Sequence, residues 1–410
     1  VFTDTAIIQD VFDGGGAAGI LLNATSDGEG NAGRLMDKAS WFIAVIGESA
    51  GSAKIQFTQL FSTTNGVWET ALDLTLAADD CVIVDYDNGL TTNDPVIYID
   101  GVSVALTETS TPVGTRTTDV GSDLYVGNNA AGSATFDGRL SNAFLAPALA
   151  TNKGRQINEA FKSRYAAEVI SYEPDGYWRG NETSGTTLVD YGLGANDATT
   201  VGSPTLGVAG GPLDNETTTS VTYTKGTSSA SATSQTSVLA TQTVLSFCKG
   251  SSSANAETFV GFRSGDQDFL QVMSNPTDNY LRLQGRDANS ILIDFTSTVA
   301  IQDDTWHLAG YTTDKSTHIL YEAGAEVARD TTAFTGALTA TKTTLAGYSI
   351  PAENHSWDGE LGESAIFPVV LTAPQILDIY EMASYVAPLP LFGTATFYIQ
   401  NEVTAANVDT

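Results

Sequence analysis

The chain has 410 residues, of which 42% are apolar and 16% are charged. This is enough apolar material for two globular domains, and it argues against a disordered chain. Acidic residues outnumber basic ones by 48 to 18, so the formal net charge is -30. Because phosphate backbones and anionic lipids repel such a chain, binding to nucleic acid or to membrane surfaces is disfavoured. No apolar stretch of about 18 residues predicts insertion into a membrane.

Most of the predicted elements are short β-strands. Runs of β-branched and aromatic residues alternate with clusters of Gly, Asn, Asp and Ser, which is typical of an antiparallel β-sandwich. The predicted strands are 41–46, 82–86, 96–99, 124–126, 244–247, 280–283, 291–295, 307–311 and 318–321. The Asp100-Gly101 step directly after 96–99 predicts a tight hairpin turn. The segment 217–243 is nearly all Ser, Thr, Ala and Val and fits either a linker or polar edge strands.

Two segments, 153–167 and 373–383, have the apolar spacing of a helix. Each follows a copy of one pattern, Phe136-Asp137-Gly138-Arg139-Leu140 in the first half and Trp357-Asp358-Gly359-Glu360-Leu361 in the second, at an offset of 221 residues. This indicates an internal duplication. The predicted domains are 1–170 and 171–387, followed by a C-terminal extension, 388–410, with one candidate strand at 395–400.

Cys81 and Cys248 lie in different predicted domains, so both are expected to be free and buried. Aligning the two copies puts Cys81 opposite Trp306, which predicts a packing difference between the domains. Three histidines, His307, His318 and His355, are expected to have structural roles, because their spacing does not indicate a zinc site. The adjacent carboxylates Asp79-Asp80 and Asp303-Asp304 are expected to cap turns.

Several motifs resemble a known family. Tyr177-Trp178-Arg179 with Asn181-Glu182-Thr183 resembles the opening of a laminin-G-like, concanavalin A-like jelly roll, 304–311 resembles its central strand, and 357–361 resembles its closing strand. The first half is similar to a version of this family common in bacteriophage and environmental viral proteins, through the motifs 10–16, 27–31, 61–68, 93–101 and 123–129. It lacks the Tyr-Trp-Arg opening, so its first strand is expected to be missing or replaced. The resemblance implies an all-β fold of two tandem antiparallel jelly-roll sandwiches, each closed by a short C-terminal helix.

The resemblance implies a non-enzymatic, virion-associated structural, decoration or fibre protein of a tailed phage. Its expected partners are capsid or tail proteins, further copies of itself, and host or environmental glycans bound weakly at the virion surface. One alternative is a secreted bacterial lectin or adhesin, which would be extracellular. A less favoured alternative is a polysaccharide-degrading enzyme, because enzymes of this fold carry a Glu-x-Asp-x-x-Glu strand that is absent from this sequence.

Aromatic rings and loop oxygens are the candidate binding groups. A ring face can stack on a pyranose, and Trp68, in a Gly- and Asn-rich context, and Trp357 are the candidates for this role. Trp41, at the start of the predicted strand 41–46, and Trp306, directly before the predicted strand 307–311, are expected in the core. In related jelly rolls, loop Asp and Asn residues bind Ca²⁺ and through it a sugar. By resemblance, the candidate Ca²⁺ ligands are Asp94, Asp100, Asn128 and Asn129.

Overall fold

The structure is a computed structural model of the chain. It describes residues 1–28, 30, 32–149, 152–213, 218–233, 241–264, 268–287, 290–333, 340–347, 356–384, 397–399 and 403–404. Contacts divide the chain into two compact units, unit 1 (Val1–Lys162 with Leu389–Thr410) and unit 2 (Ser163–Pro388). These units are defined by contacts, whereas the predicted domains 1–170 and 171–387 are two copies of one sequence pattern and 388–410 is an extension outside them. That division stays a prediction.

Unit 1 begins with a short 3-10 helix, Ala6–Ile8, and continues with twelve described strands and one helix. These are β1 (Gly16–Ala24), β2 (Gly33–Asp37), β3 (Trp41–Ser49), β4 (Ser52–Gln59), β5 (Gly66–Thr70), β6 (Leu74–Thr75), β7 (Asp80–Tyr86), β8 (Val96–Ile99), β9 (Val102–Ser103), β10 (Leu106–Ser110), β11 (Tyr125–Val126), β12 (Gly138–Pro147) and α1 (Lys153–Lys162). One sheet has the order β12-β1-β7-β8-β9. The opposite sheet has the order β10-β5-β4-β3-β2-β11, with β6 beside β4.

The core of unit 1 lies between these sheets and is rich in aromatic rings. Phe12 packs edge-on against Trp41 and Phe57, with ring centroids 5.1 and 5.4 Å apart. A second apolar layer covers part of the outer face of the β12 sheet, where Phe161 of α1 packs against Phe144 at 5.8 Å. Cys81 is buried in this layer, and burial raises the pKa of its thiol.

Unit 2 contains sixteen described strands and two helices. These are α2 (Arg164–Ser171), β13 (Gly176–Trp178), β14 (Thr187–Leu188), β15 (Ala198–Val201), β16 (Thr205–Ala209), β17 (Thr219–Tyr223), β18 (Ser229–Thr233), β19 (Gln242–Gly250), β20 (Glu257–Arg263), β21 (Phe269–Ser274), β22 (Tyr280–Asp287), β23 (Ser290–Ala300), β24 (His307–Thr313), β25 (His318–Glu322), β26 (Ala325–Asp330), β27 (Lys342–Leu345), β28 (Gly359–Phe367) and α3 (Ala373–Met382). One sheet has the order β16-β17-β28-β19-β24-β25-β26, with β13 also beside β28. The other has the order β14-β15-β18-β27-β20-β21-β22-β23.

Two short strands follow in the C-terminal extension, β29 (Phe397–Ile399) and β30 (Val403–Thr404). Both pair antiparallel with β12 of unit 1. We call β12 and β28 the closing strands, and the sheets that contain them the closing sheets.

The structure confirms the predicted fold class of antiparallel jelly-roll sandwiches. Each of the nine predicted strand segments overlaps an observed strand, and the described part of 217–243 forms β17, β18 and the start of β19. The predicted helix 153–167 is wrong in its continuity. Ser163 has an extended backbone and its hydroxyl accepts a hydrogen bond from the Ala166 N–H at 3.0 Å, so it ends α1 and caps α2. Within the described residues, no helix has the length and apolar character needed to cross a membrane.

The two closing strands share an unusual backbone feature at equivalent positions, as expected for an internal duplication. Asn142 in β12 and Glu363 in β28 both have a positive φ, 49° and 51°, and each lies at a bulge in the pairing with the next strand of its sheet. The offset between them is again 221 residues. A bulge with a left-handed residue at the same place in both copies is a feature of the fold and not a local irregularity.

Candidate functional site

The two tryptophans predicted to stack on sugars are buried. Trp68 is 1% exposed because β5 alternates and points it inward, where it stacks on Phe57 with ring centroids 5.9 Å apart. Trp357 is fully buried and packs edge-on against Phe259 at 5.6 Å. Neither ring presents a face to solvent, so the stacking role predicted for both residues does not fit the structure. Trp306, which was expected in the core, is instead partly exposed.

The predicted Ca²⁺ ligands do not form one oxygen cage. Asp94 accepts a hydrogen bond from the Trp68 indole N–H at 2.8 Å. Asp100 accepts from the Cys81 backbone N–H at 3.0 Å and from Lys162 Nζ at 2.8 Å. These two carboxylates are therefore held by different partners, and nothing joins them at one centre.

The two asparagines of the predicted set brace their own loop. The Asn128 carbonyl oxygen accepts from the backbone N–H groups of Asn129 and Ala134, and the Asn129 carbonyl oxygen accepts from that of Ser133. Oxygens that hold backbone N–H groups are poorly placed to ligate a cation, so these residues do not fit the Ca²⁺ role that the resemblance implied. In the described part of the chain, no three His, Cys, Asp or Glu side chains are grouped to hold a metal ion.

The histidines have local partners where they are described. His307 lies between Glu322 and Asp303, 2.9 Å from an oxygen of each. Burial alone would lower the pKa of His307, but the two carboxylates outweigh it and raise the pKa. His318 bonds to the Thr313 hydroxyl at 2.7 Å, and burial lowers its pKa. His355 lies outside the described residues.

A polar row crosses the outer face of the closing sheet in unit 1. Leu22 of β1 points into the core and Leu21 packs on the outer layer, so Asn23 also lies on the outer face. The strand register brings Arg139 of β12 opposite Asn23 on one side, and Asp79, just before β7, beside it on the other. We call Asn23, Asp79 and Arg139 the unit 1 row.

This row lines a pocket of about 190 Å³, together with Leu21, Leu22 and Ser141. The Asn23 side-chain amide donates to Asp79 Oδ1 at 2.8 Å, and Arg139 Nη2 lies 3.6 Å from the same oxygen. The side chains of Asp79 and Arg139 are 67% and 53% exposed, so both reach the solvent at the pocket. The turn-capping role expected for Asp79 is therefore replaced by a place in a surface pocket.

Asp80 has a different environment from its neighbour. It opens β7 with its side chain on the core side, and one carboxylate oxygen has no hydrogen-bond partner among the described residues. Burial, strengthened by the nearby charges of Asp100 and Asp79, raises its pKa to about 7. Asp79 and Asp80 thus point to opposite faces of one sheet, as alternation along a strand requires.

Unit 2 carries different residues at the corresponding positions. Lys249 of β19 lies opposite Glu360 of β28, and Cys248 lies opposite His307, which brings Trp306 beside Lys249. We call Lys249, Trp306 and Glu360 the unit 2 row. This register equates Trp306 with Asp79, so the match of Trp306 to Cys81 made from sequence is wrong by two residues.

The members of the unit 2 row engage one another and their neighbours. Lys249 Nζ lies 3.0 Å from a Glu360 oxygen and 5.8 Å from the centre of the Trp306 ring. The Trp306 indole N–H donates to the Gly210 carbonyl at 3.1 Å, and the Ser220 hydroxyl donates to Glu360 at 2.6 Å. The members of this row thus bond both to one another and to two residues outside it, Gly210 and Ser220.

Comparison with protein families gives one match. Residues 216–377, which lie within unit 2, match a laminin-G-type model described as the concanavalin A-like lectin/glucanases superfamily. The match spans about two fifths of the chain. It agrees with the jelly-roll fold seen in the structure. A comparison with curated proteins finds no match.

Similar solved structures include two toxin domains and one enzyme-associated domain. The receptor-binding domain of botulinum neurotoxin C/D mosaic serotype is 13% identical with a TM-score of 0.41, and the match covers 52% of each chain. The binding domain of Paraclostridial Mosquitocidal Protein 1 is 11% identical with a TM-score of 0.41, again over 52% of each chain. Domain 4 of AbnA, a GH43 extracellular arabinanase from Geobacillus stearothermophilus, in complex with arabinotriose, is 16% identical with a TM-score of 0.40, over 51% of this chain and 98% of that one.

The match spans about half the length of the two toxin chains. With identities of 16% or less and TM-scores of 0.41 or less, these three likenesses carry no inference about what this chain binds.

Proposed function

We propose that this chain is a non-enzymatic carbohydrate-binding protein and that the pocket of unit 1 holds one neutral sugar residue. The observation that carries the proposal is the convergence of Asn23, Asp79 and Arg139 around the pocket. A carboxylate accepts hydrogen bonds from sugar hydroxyls, a guanidinium donates them, and an amide does both. The three groups together match adjacent hydroxyls on one ring, and Leu21 offers an apolar surface to its C–H groups.

The size of the pocket limits the ligand. At about 190 Å³ it is smaller than the roughly 300 to 1,000 Å³ of sites for drug-sized molecules, which favours a single sugar unit. The exposed Asp79 carboxylate and the net charge of -30 disfavour acidic sugars. No aromatic residue is found where the described part of the chain lines the pocket, so we expect weak binding, with a dissociation constant on the order of 1 mM.

Binding without cleavage is supported by the carboxylates. Hydrolysis of a glycosidic bond normally needs two carboxyl groups on either side of that bond. Among the described residues, Asp79 is the only carboxylate that lines the pocket, and the adjacent Asp80 faces the core.

We also propose a location, the surface of a tailed-phage particle, where the protein would act as a decoration, fibre or tail component. The support is the resemblance of the first half to bacteriophage and environmental viral proteins. Its partners there would be capsid or tail proteins. Cryo-electron microscopy of particles that contain the chain tests this. Regular positions on a capsid or tail support it, whereas recovery only from culture medium or cell envelopes favours a secreted bacterial lectin or adhesin.

The sugar site is tested by titrating neutral monosaccharides into the ¹⁵N-labelled protein and following amide shifts. We expect the largest shifts at β1, β12 and the residues before β7. Asp79→Trp, which copies the residue of the unit 2 row, should weaken binding by at least about tenfold, because the indole would occupy the pocket.

The matched control is Glu360→Gln, at the position in unit 2 that corresponds to Arg139, and it should leave the affinity unchanged. Unaltered binding by Asp79→Trp, or shifts confined to unit 2, would show that the unit 1 row is not the site.

A further inference from the structure

The closing strands β12 and β28 pair with other strands at matching positions, but in the two units those partner strands come from different parts of the chain. In unit 2, β13 pairs with Ser364–Ile366 of β28 and β17 pairs with Gly359–Leu361. Both β13 and β17 precede β28 in the chain. They form the opening side of the jelly roll.

In unit 1, nothing in the described residues before β12 fills these places. Instead β29 pairs with Ala143–Leu145 and β30 pairs with Arg139–Leu140. Every one of these positions differs by 221 residues from its counterpart in β28 that pairs with β13 or β17. All four strands are antiparallel to the closing strand.

The sequence supports the equivalence independently. The register aligns Tyr398 of β29 with Tyr177 of β13, since they face Phe144 and Ala365. The residues that follow are Gln400-Asn401-Glu402 after β29 and Arg179-Gly180-Asn181-Glu182 after β13. The pattern of Tyr, a polar residue two positions later and Asn-Glu is thus repeated in the C-terminal extension with one residue fewer.

We propose that β29 and β30 are the missing opening strands of unit 1, supplied from the C-terminus of the same chain, so that unit 1 is a permuted jelly roll. The physical need is clear from β12. It is ten residues long and carries the buried residues Leu140, Ala143, Phe144 and Leu145. Without a neighbour on its outer side, it would be a long apolar edge strand with unsatisfied backbone groups, which natural sheets avoid. Strand addition at this edge provides the missing hydrogen bonds. The inference does not rest on the proposed sugar site.

The test is hydrogen exchange of the full-length protein, with β28 as an internal reference. The double variant Tyr398→Pro/Ile399→Pro removes the backbone N–H groups of two consecutive residues of β29. Since these groups point to opposite sides of the strand, one of them must face β12. We expect the exchange of β12 amides to rise by at least about tenfold, with β28 unchanged. The control Val408→Pro/Asp409→Pro, outside both strands, should leave β12 protected.

A second variant separates pairing from general damage. A chain that ends at Pro388 should lose protection of β12, and moving residues 389–410 to a position before Val1 through a flexible linker should restore it. A scrambled 389–410 sequence at that position should not. Protection of β12 that survives both the proline pair and the truncation overturns the proposal. The proposal is also overturned if light scattering gives the full-length protein the mass of two or more chains and the truncated protein the mass of one. In that case β29 and β30 would come from another copy of the chain.

Discussion

Units 1 and 2 share a closing strand with a bulge at the same place, yet they differ in what surrounds it. In unit 2 the opening strand β13 comes just after α2, and Arg179, the residue that follows β13, forms a buried ion pair with Glu363 of β28. In unit 1 the corresponding bulge residue is Asn142, and β29 comes from the far end of the chain. Two copies of a fold can therefore keep the same backbone hydrogen bonds along the closing strand although the neighbouring strand comes from a different part of the chain. They can also differ in whether an ion pair holds that neighbouring strand.

The outer rows differ in the same way. Asp79 and Asn23 of the pocket in unit 1 correspond to Trp306 and Lys249 in unit 2, where the row also bonds to residues outside it, Gly210 and Ser220. The backbone positions are equivalent, so the difference lies in side-chain chemistry alone. Function in such a protein is decided by a few residues on a shared scaffold.

The largest effect should follow from breaking the ion pair found only in unit 2. Arg179 Nη2 and Glu363 Oε1 are 2.8 Å apart, and the two side chains are 4% and 1% exposed. Glu363→Gln removes the carboxylate that opposes a buried guanidinium, which should cost unit 2 about 3 to 5 kcal/mol of unfolding free energy. Denaturant unfolding followed by hydrogen exchange should show β28 losing stability while β12 keeps it.

The control for this variant is Glu326→Gln in the same unit. Glu326 pairs with Arg329, but both side chains are well exposed, so the change should cost less than about 1 kcal/mol. Equal effects of the two substitutions would mean that the buried pair gives unit 2 no special stability.

A smaller effect is expected from replacing a buried aspartate by asparagine, at Asp80 in unit 1 or at Asp190 in unit 2. The change in the free energy of unfolding should have opposite signs in the two units. Asp80 in unit 1 has a pKa near 7, above its ordinary value of 3.8. The unfolded chain therefore releases this proton at lower pH than the folded chain, so stability from Asp80 is lost as pH rises from about 4 to 7. Asp80→Asn should remove this slope and stabilise unit 1 at pH 8 by about 1 to 3 kcal/mol.

Asp190 in unit 2 is equally buried but well bonded. Burial raises its pKa to about 6, yet its oxygens accept from the backbone N–H groups of Tyr177, Gly192 and Asn196, each at 2.7 Å. An amide cannot accept at both positions, so Asp190→Asn should destabilise unit 2 by about 1 to 3 kcal/mol at pH 8. Denaturant titrations at pH 5 and pH 8 measure both. If both substitutions destabilise the protein at pH 8, the predicted difference between Asp80 and Asp190 is wrong.

The sequence was sufficient for the strands and for the closing motifs, because alternation and Asp-Gly steps are local signals. It was not sufficient for exposure. Trp68 lies in a Gly- and Asn-rich context, yet the register of β5 points it inward. Trp306 comes directly before a predicted strand, 307–311, yet its indole bonds to Gly210, 96 residues away, and it is partly exposed.

The pocket was missed for a related reason. Asp79 follows Asn23 by 56 residues and Arg139 lies farther still along the chain, so only the pairing of β1 with β7 and β12 brings the three together. Locally, Asn23 belongs only to an Asn-x-Thr sequence and Asp79 only to a pair of adjacent carboxylates, and neither pattern indicates a pocket. Comparing outer-face residues of the two copies after correct alignment would have been the usable signal.

The smallest effect should come from a hairpin turn in each unit, which packs against α1 in unit 1 and against α3 in unit 2. Both turns are two-residue loops with positive φ at each position, Asp100-Gly101 at 52° and 76° and Ala323-Gly324 at 48° and 77°. Asp and Asn tolerate the left-handed region better than Ala does. Ala323→Asn should therefore stabilise unit 2 by about 0.5 to 1 kcal/mol.

The reciprocal change, Asp100→Ala, should destabilise unit 1 by more than Ala323→Asn stabilises unit 2. It places Ala in the strained conformation and also removes the acceptor for the Cys81 N–H and for Lys162 Nζ. Asp100→Asn separates these contributions, because it keeps the turn preference and weakens only the interaction with Lys162. Thermal unfolding of the three variants should rank them Ala323→Asn, Asp100→Asn and Asp100→Ala from most to least stable. A destabilising Ala323→Asn would mean that the contact of this turn with α3, where Gly324 lies against Leu377, outweighs the backbone preference.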